Sequence, residues 1–234
     1  HTKICPSCST NLIREKGDAK YYCPNSEGCT PQYIGKFEHF ISRKAMNIDG
    51  LGRETIELLL SKELINNVAD LYNLKKTDLL PLERMAEKSV DNLLLAIEDS
   101  KNIPFEKVLF GLGIRHVGET VAKLLVIRFK DIESLIEADF EALISIDEIG
   151  DKIAESVVNW FSIQKNSDLI DALKSSGLRF NLTNQNDNLS EKLNGMRIIV
   201  SGTFQLYSRV ELKKMIENRG GKNVSSISKN TTFV

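Results

Sequence analysis

The chain carries one short pattern four times at nearly constant spacing, and fixed-period repetition constrains a fold more than any other sequence feature. Ile48-Asp49-Gly50-Leu51-Gly52, Leu82-Glu83-Arg84-Met85-Ala86, Ile114-Arg115-His116-Val117-Gly118 and Ile146-Asp147-Glu148-Ile149-Gly150 start 34, 32 and 32 residues apart. Each has apolar residues at its first and fourth positions and closes on a glycine or an alanine. Four residues past the fifth position stands an apolar or small residue: Ile56, Val90, Ala122 or Ala154. That offset returns to the same helix face one turn on. The unit reads as helix, tight apolar hairpin, helix. The first and fourth hairpin residues plug the gap between the helices, and the glycine opens the second one.

Such a hairpin has a chemical consequence. The first N–H groups of a helix lack intrahelical partners and lie at the positive end of its dipole. Each second helix is therefore an anion site. Several on one chain suit a polymer of phosphates; a purely helical scaffold repeat is the alternative. In LGIRHVGETVA (Leu112 to Ala122), Gly113 and Gly118 are expected to supply the positive φ of a tight turn and to let a phosphate approach the main chain.

Charge ranks the hairpins. The net charge of −1 is unlike that of a DNA binder, but it is unevenly spread. Residues 1–50 carry 7 basic and 5 acidic side chains, residues 51–189 carry 16 and 24, and residues 190–234 carry 8 and 3. The middle cannot attract DNA as a uniformly basic body, so its contacts must come from backbone amides and a few placed cations. Arg115, His116 and Thr120 make the third hairpin, with Gly113 and Gly118, the best candidate. The first offers Gly50, Gly52 and Arg53. The fourth carries Asp147, Glu148 and Asp151 and is a poor anion site. The second lacks the glycine and reads as structural, with Arg84 and Lys88 nearby.

All four cysteines fall in the first 29 residues, as Cys5-x2-Cys8, fourteen residues, then Cys23-x5-Cys29. This spacing favours a structural Zn²⁺ held by four thiolates, closed to water and without chemistry of its own. Two disulfides or a redox CxxC are the alternatives. No signal peptide or membrane-spanning run is seen, which argues against the disulfides. Four thiolates leave the site formally about −2, so phosphate contacts here fall to Lys3, Arg14, Lys16 and Lys20.

The hairpins look like the helix-hairpin-helix motif, which grips nucleic-acid backbone without reading bases. HFISRKAMNIDGLG (His39 to Gly52), DLYNL (Asp70 to Leu74), EKSVDNLLLAIEDSK (Glu87 to Lys101) and LFGLGIRHVGE (Leu109 to Glu119) resemble the bacterial NAD+-dependent DNA ligases more specifically. That family has a four-cysteine zinc module before its hairpins, as here. After an Asn-rich stretch, MRIIVSGTF (Met196 to Phe204) reads as a strand, Arg209 to Arg219 as a helix capped by Ser208 and ended by Gly220-Gly221, and Lys222-Asn223-Val224 as a second strand. This βαβ opening resembles the first half of the BRCT domain that ends the family.

The expected fold is mainly α and multidomain: a small four-cysteine zinc finger over 1–34, an all-α helix-hairpin-helix domain with four hairpin repeats over 35–180, a linker over 181–195, and a truncated α/β BRCT-like domain over 196–234. Trp160 and His39 read as packing residues; His116 lies on a candidate DNA-facing loop. No K-x-D-G lysine, P-loop or dinucleotide fingerprint occurs, so no catalytic residue is expected. His1 in place of a starting Met reads as the mark of a fragment or a processed chain. The resemblance implies the DNA-binding portion of a bacterial, cytoplasmic, nucleoid-associated ligase. The parent enzyme would use NAD+ and Mg²⁺ on a preceding part to seal nicks in replication and repair. The partner implied is nicked duplex DNA, the state a monomer, and the BRCT-like part a contact to DNA or protein. A non-enzymatic repair scaffold with the same modules is the other reading; a helix-hairpin-helix glycosylase or nuclease is disfavoured by the lack of a catalytic Asp or Lys in a suitable setting.

Overall fold

The computed structural model describes residues 3–14, 19–26, 28–83, 85–182, 193, 195–202, 204, 209–217, 219, 221–224 and 231–233. The chain divides into two compact units, His1–Leu182 and Thr183–Val234. Lys16, Arg84, Ser208, Gly220 and most of the expected linker lie outside the described residues.

The first unit opens on a small cysteine-bearing module tied by two antiparallel bridges, Ile4 with Asn11 and Ile13 with Tyr22. Helix α1 (Thr30–Ile41) begins directly after Cys29, its N-cap. This is earlier than the break near residue 35 expected from sequence. Pro31 in the first turn explains the difference: its missing N–H costs nothing there, and its fixed φ suits the helix. There follow α2 (Arg53–Ser61), a 3-10 turn (Val68–Asn73), the one-turn α3 (Lys76–Leu79), α4 (Glu87–Ser100), α5 (Phe105–Gly111) and α6 (Glu119–Phe129). Then come α7 (Ile132–Ile136), α8 (Phe140–Ile144), α9 (Asp151–Phe161) and α10 (Gln164–Ser175).

The four repeats are the helix pairs α1/α2, α3/α4, α5/α6 and α8/α9. Ile56, Val90, Ala122 and Ala154 are each fully buried, so the periodic position is the inner face of every second helix. The plugs behave alike: Ile48, Leu51, Ile114, Val117 and Ile149 are buried, while Ile146, Leu82 and Met85 are half-buried against the same core. The second repeat is degenerate, with a single turn for its first helix. Trp160 packs on the core edge-to-face with Phe161, centroids 5.1 Å apart. Buried Ser100 donates to Ile97 O at 2.6 Å and lies 2.9 Å from the Tyr72 hydroxyl. Burial pushes that phenol up to about 12. Near its end the unit folds back on itself: Asp131 pairs with Asn181, and Ile132 N–H donates to Phe180 O at 2.9 Å.

In the second unit β1 (Arg197–Ile198) and β2 (Lys222–Asn223) pair in parallel, Arg197 with Lys222 and Ile198 with Asn223, across α11 (Arg209–Glu217). This is the expected βαβ order, with shorter elements than the apolar pattern suggested. Phe233 also makes an isolated parallel bridge to Ile198.

Candidate metal centre and nucleic-acid interface

Local structure brings the four cysteines together. The Cys5 to Cys8 segment turns tightly, with Ser9 N–H donating to Cys5 O at 2.9 Å and Ser9 at φ +57. Cys23 follows Tyr22, which exchanges two main-chain hydrogen bonds of 2.9 Å with Ile13. Cys29 stands at the head of α1. All four sulfurs lie within 4.8 Å of one another. Cys5 and Cys29 Sγ are 3.8 Å apart, and Cys8 and Cys23 Sγ 3.4 Å apart. An S–S bond needs about 2.05 Å, whereas ligands about 2.3 Å from a tetrahedral zinc lie about 3.8 Å from each other. The donor set therefore fits one tetrahedral soft cation and no disulfide.

The electrostatics fit the same occupant. Hydrogen bonding to Thr10, through side chain and main chain, draws the Cys8 thiol down to about 6. Burial pushes Cys23 up to about 12 and raises Cys29. One thiolate is thus ready to receive a metal, while burial holds protons on two others until a cation offsets their desolvation.

The hairpins present their helix heads to solvent. Gly52, Gly118 and Gly150 are the N-caps of α2, α6 and α9, and no side chain caps any of the three. By contrast Asp131 and Asp139 cap α7 and α8, accepting from Ser134 N–H at 2.7 Å and Ala142 N–H at 2.8 Å. A Cβ at Gly52, Gly118 or Gly150 would meet no heavy atom within 4 Å beyond its chain neighbours.

Of the two positive-φ expectations, that for Gly113 holds and that for Gly118 needs correction. Gly118 has φ −85 and ψ 179, extended backbone open to any residue, so the turn does not require glycine there. The left-handed residue is the third of the hairpin: Gly50 at φ +86, His116 at +65 and Glu148 at +72. Gly113, at φ +69, follows the last turn of α5 and takes the left-handed conformation common just past a helix end. Its close neighbour is His39 Cδ2, 3.5 Å from a Cβ built there. His39 is itself a packing residue: Nε2 lies 2.8 Å from Phe110 O, and its ring meets Phe110 edge-on at 4.6 Å.

The cations are also more engaged than sequence suggested. Arg53 faces two carboxylates, Glu57 Oε1 at 3.0 Å from Nε and Glu38 Oε2 at 3.7 Å from Nη1. That weakens the first hairpin as an anion site. In the third hairpin Arg115, His116, Gly118 and Thr120 are all exposed. Arg115 lies over the Tyr22 ring at 4.1 Å from its centroid, joining hairpin to cysteine module. Glu119, in the first turn of α6, is paired with Lys44 at 2.7 Å, which offsets its repulsion of an anion at that helix head. Sequence reasoning missed Tyr22 and Lys44 because both are remote in the chain from what they touch. Alignment with Gly50 could have found the left-handed residue. Asp147, Glu148 and Asp151 of the fourth hairpin are exposed, so its acidic reading stands.

Comparison with known proteins bears on both sites. A family model described as the NAD-dependent DNA ligase C4 zinc finger domain matches residues 5–30, which contain all four cysteines. A SAM-like helix-hairpin-helix tandem matches 42–99, a helix-hairpin-helix motif 107–170, and a BRCA1 C Terminus (BRCT) domain 188–234. A DNA ligase of Flavobacterium psychrophilum is 52% identical over 98% of the chain, and one of Christiangramia forsetii 53% over 98%. The chain belongs to the NAD-dependent DNA ligase family. It spans about a third of the length of these ligases, 35% of each. The ligase of Porphyromonas gingivalis aligns over 100% of the chain at 46% identity, again covering 35% of that protein. The family match thus runs through the zinc module, both hairpin pairs and the βαβ unit. Among the described residues no helix is long and apolar enough to cross a membrane.

Proposed function

We propose that this chain is the DNA-gripping part of a bacterial NAD+-dependent DNA ligase that seals single-strand nicks in duplex DNA. The observation that carries the reading is the set of helix heads at Gly52, Gly118 and Gly150, uncapped by side chains and open where a Cβ would stand. A phosphate can approach such a head to hydrogen-bond distance and meet only N–H donors and the positive end of a helix dipole. The reading ranks the third hairpin first, with Arg115, His116, Gly118 and Thr120 at one helix head. The first follows, its Arg53 tempered by glutamates, and the acidic fourth comes last. Recognition of this kind touches backbone and leaves bases unread.

One Zn²⁺ on Cys5, Cys8, Cys23 and Cys29 supplies structure only, because four thiolates leave no position for water. Adenylation from NAD+, with Mg²⁺, would belong to other parts of the ligase, since no K-x-D-G motif occurs in these 234 residues. The working state is a cytoplasmic monomer on nicked duplex. The BRCT-like unit offers a further contact to DNA or protein.

Titration with a nicked duplex tests this. Affinity should be insensitive to base sequence and fall steeply with salt, the log–log slope being about −0.9 per phosphate neutralised. Base-specific or salt-insensitive binding would overturn the reading. Incubated alone with NAD+ and Mg²⁺, the chain should gain no AMP by intact mass; an adduct would mean that the reactive lysine lies within it.

A further inference from the structure

We propose that His39, in the last turn of α1, is a positioning residue for the third hairpin: it caps the end of α5 from the first repeat and thereby fixes where the head of α6 meets a phosphate. The inference rests on the proposed role of that hairpin in gripping DNA and adds a residue from outside its own repeat.

The end of α5 needs donors. The last carbonyls of a helix lack intrahelical partners and lie at the negative end of its dipole. Phe110 O is one of them. It accepts from Gly113 N–H at 3.1 Å, a bond that closes the turn in which Gly113 becomes left-handed. A carbonyl oxygen only accepts, so His39 Nε2, 2.8 Å away, carries a proton and donates to the same atom. A histidine N–H can close a helix in this way, but here it comes from another helix, 71 residues earlier. The ring adds two contacts. It meets Phe110 edge-on at 4.6 Å between centroids, and its Cδ2 stands 3.5 Å from a Cβ built at Gly113. His39 therefore holds both the last turn of α5 and the residue through which the chain leaves it.

That exit direction governs the head of α6. Only residues 114–118 separate Gly113 from the first residue of the helix, Glu119. Ile114 and Val117 are buried, and Val117 N–H donates to Ile114 O at 3.0 Å, so the hairpin follows Gly113 as one stiff unit. The neighbours of His39 form the same seat. A Cβ built at Gly111 would stand 3.4 Å from both Phe40 Cδ2 and Ala45 Cβ, so α5 ends against the segment that follows α1. Lys44 of that segment reaches Glu119 at 2.7 Å. A phosphate held by a helix head needs N···O distances near about 2.9 Å, and the bond weakens as donors drift from that range or from alignment. A helix head that moves with Gly113 loses that fit.

Nicked-duplex affinity of the whole chain tests the assignment. It is measured well below the melting temperature of each variant, so that lost stability alone leaves Kd unchanged. His39→Gln presents an N–H at much the same reach as Nε2, whereas His39→Asn stops short of Phe110 O. His39→Asn should weaken binding about two- to tenfold, the value of a single hydrogen bond passed on to the hairpin. His39→Gln should recover most of that loss. In the Gly118→Val background, where the contact at the head of α6 is already blocked, His39→Asn should have no further effect. Full affinity in His39→Asn, the same loss in His39→Gln as in His39→Asn, or equal losses from His39→Asn with and without Gly118→Val would overturn the positioning role while leaving the hairpin as a DNA contact. Full affinity in Gly118→Val would instead overturn the hairpin reading, and the positioning role with it.

Discussion

Cys23→Ser should abolish metal binding and unfold the module that contains it. The parent chain should hold about one zinc, and the variant none. The module has little apolar core of its own: among the described residues before α1 only Cys5 and Cys29 are buried. Two single-residue bridges tie its chain together. Metal binding in comparable peptides contributes roughly 10–16 kcal/mol of apparent folding energy, far beyond what such contacts supply. The helices that bury Ile56, Val90, Ala122 and Ala154 rest on a separate apolar core, so most helical circular dichroism should remain. Acid should mimic the substitution, and the sign follows from competition. Protons and metal contend for the same sulfurs, and Cys23 and Cys29 hold their protons more tightly than an ordinary thiol once the metal is gone. Zinc occupancy at fixed free metal should therefore fall as pH falls, and more steeply below about 6, where Cys8 also protonates. A folded, metal-free chain containing two disulfides would refute the metal site.

Gly118→Val should cost affinity for nicked DNA without costing fold. With extended backbone and no heavy atom within 4 Å of the added Cβ, the variant should be as stable as the parent by thermal melting. The new side chain would stand where a phosphate must approach the head of α6. Losing a hydrogen-bonded contact to a charged group costs roughly 1.5–3 kcal/mol, which corresponds to about ten- to a hundredfold in Kd. Arg115→Ala should cost less and should shallow the salt dependence by about one phosphate's worth. Gly150→Val should cost least, because Asp147, Glu148 and Asp151 already disfavour an anion there. If Gly150→Val lost more affinity than Gly118→Val while both stayed folded, the order of the hairpins would be wrong.

Gly50→Val provides the contrast. At φ +86 a β-branched residue is strained whatever the space around it, at a cost of about 1–3 kcal/mol. This variant should lose stability, and any loss of binding would follow from that. The pair separates a glycine that the fold needs from one that only a ligand needs.

Much of this was legible in the sequence because it depends on local rules. Helical periodicity placed Ile56, Val90, Ala122 and Ala154 on one inner face, since a four-residue offset returns to the same side of any helix. Cysteine spacing predicted a single metal-sized cluster, since a tight turn brings two sulfurs within reach of one cation. The βαβ order followed from a strand-like run, a helical run and a second strand-like run. Tertiary structure decided what local rules cannot reach. It moved the demand for positive φ from Gly118 to the third hairpin position, because the fifth residue is already an extended N-cap. It set Glu38 and Glu57 against Arg53, and brought Lys44 to Glu119 across 75 residues of chain. It laid Arg115 on Tyr22, two side chains 93 residues apart in sequence. Periodicity specifies which face of a helix is buried; which exposed charges then meet depends on how whole helices pack, and no local pattern encodes that.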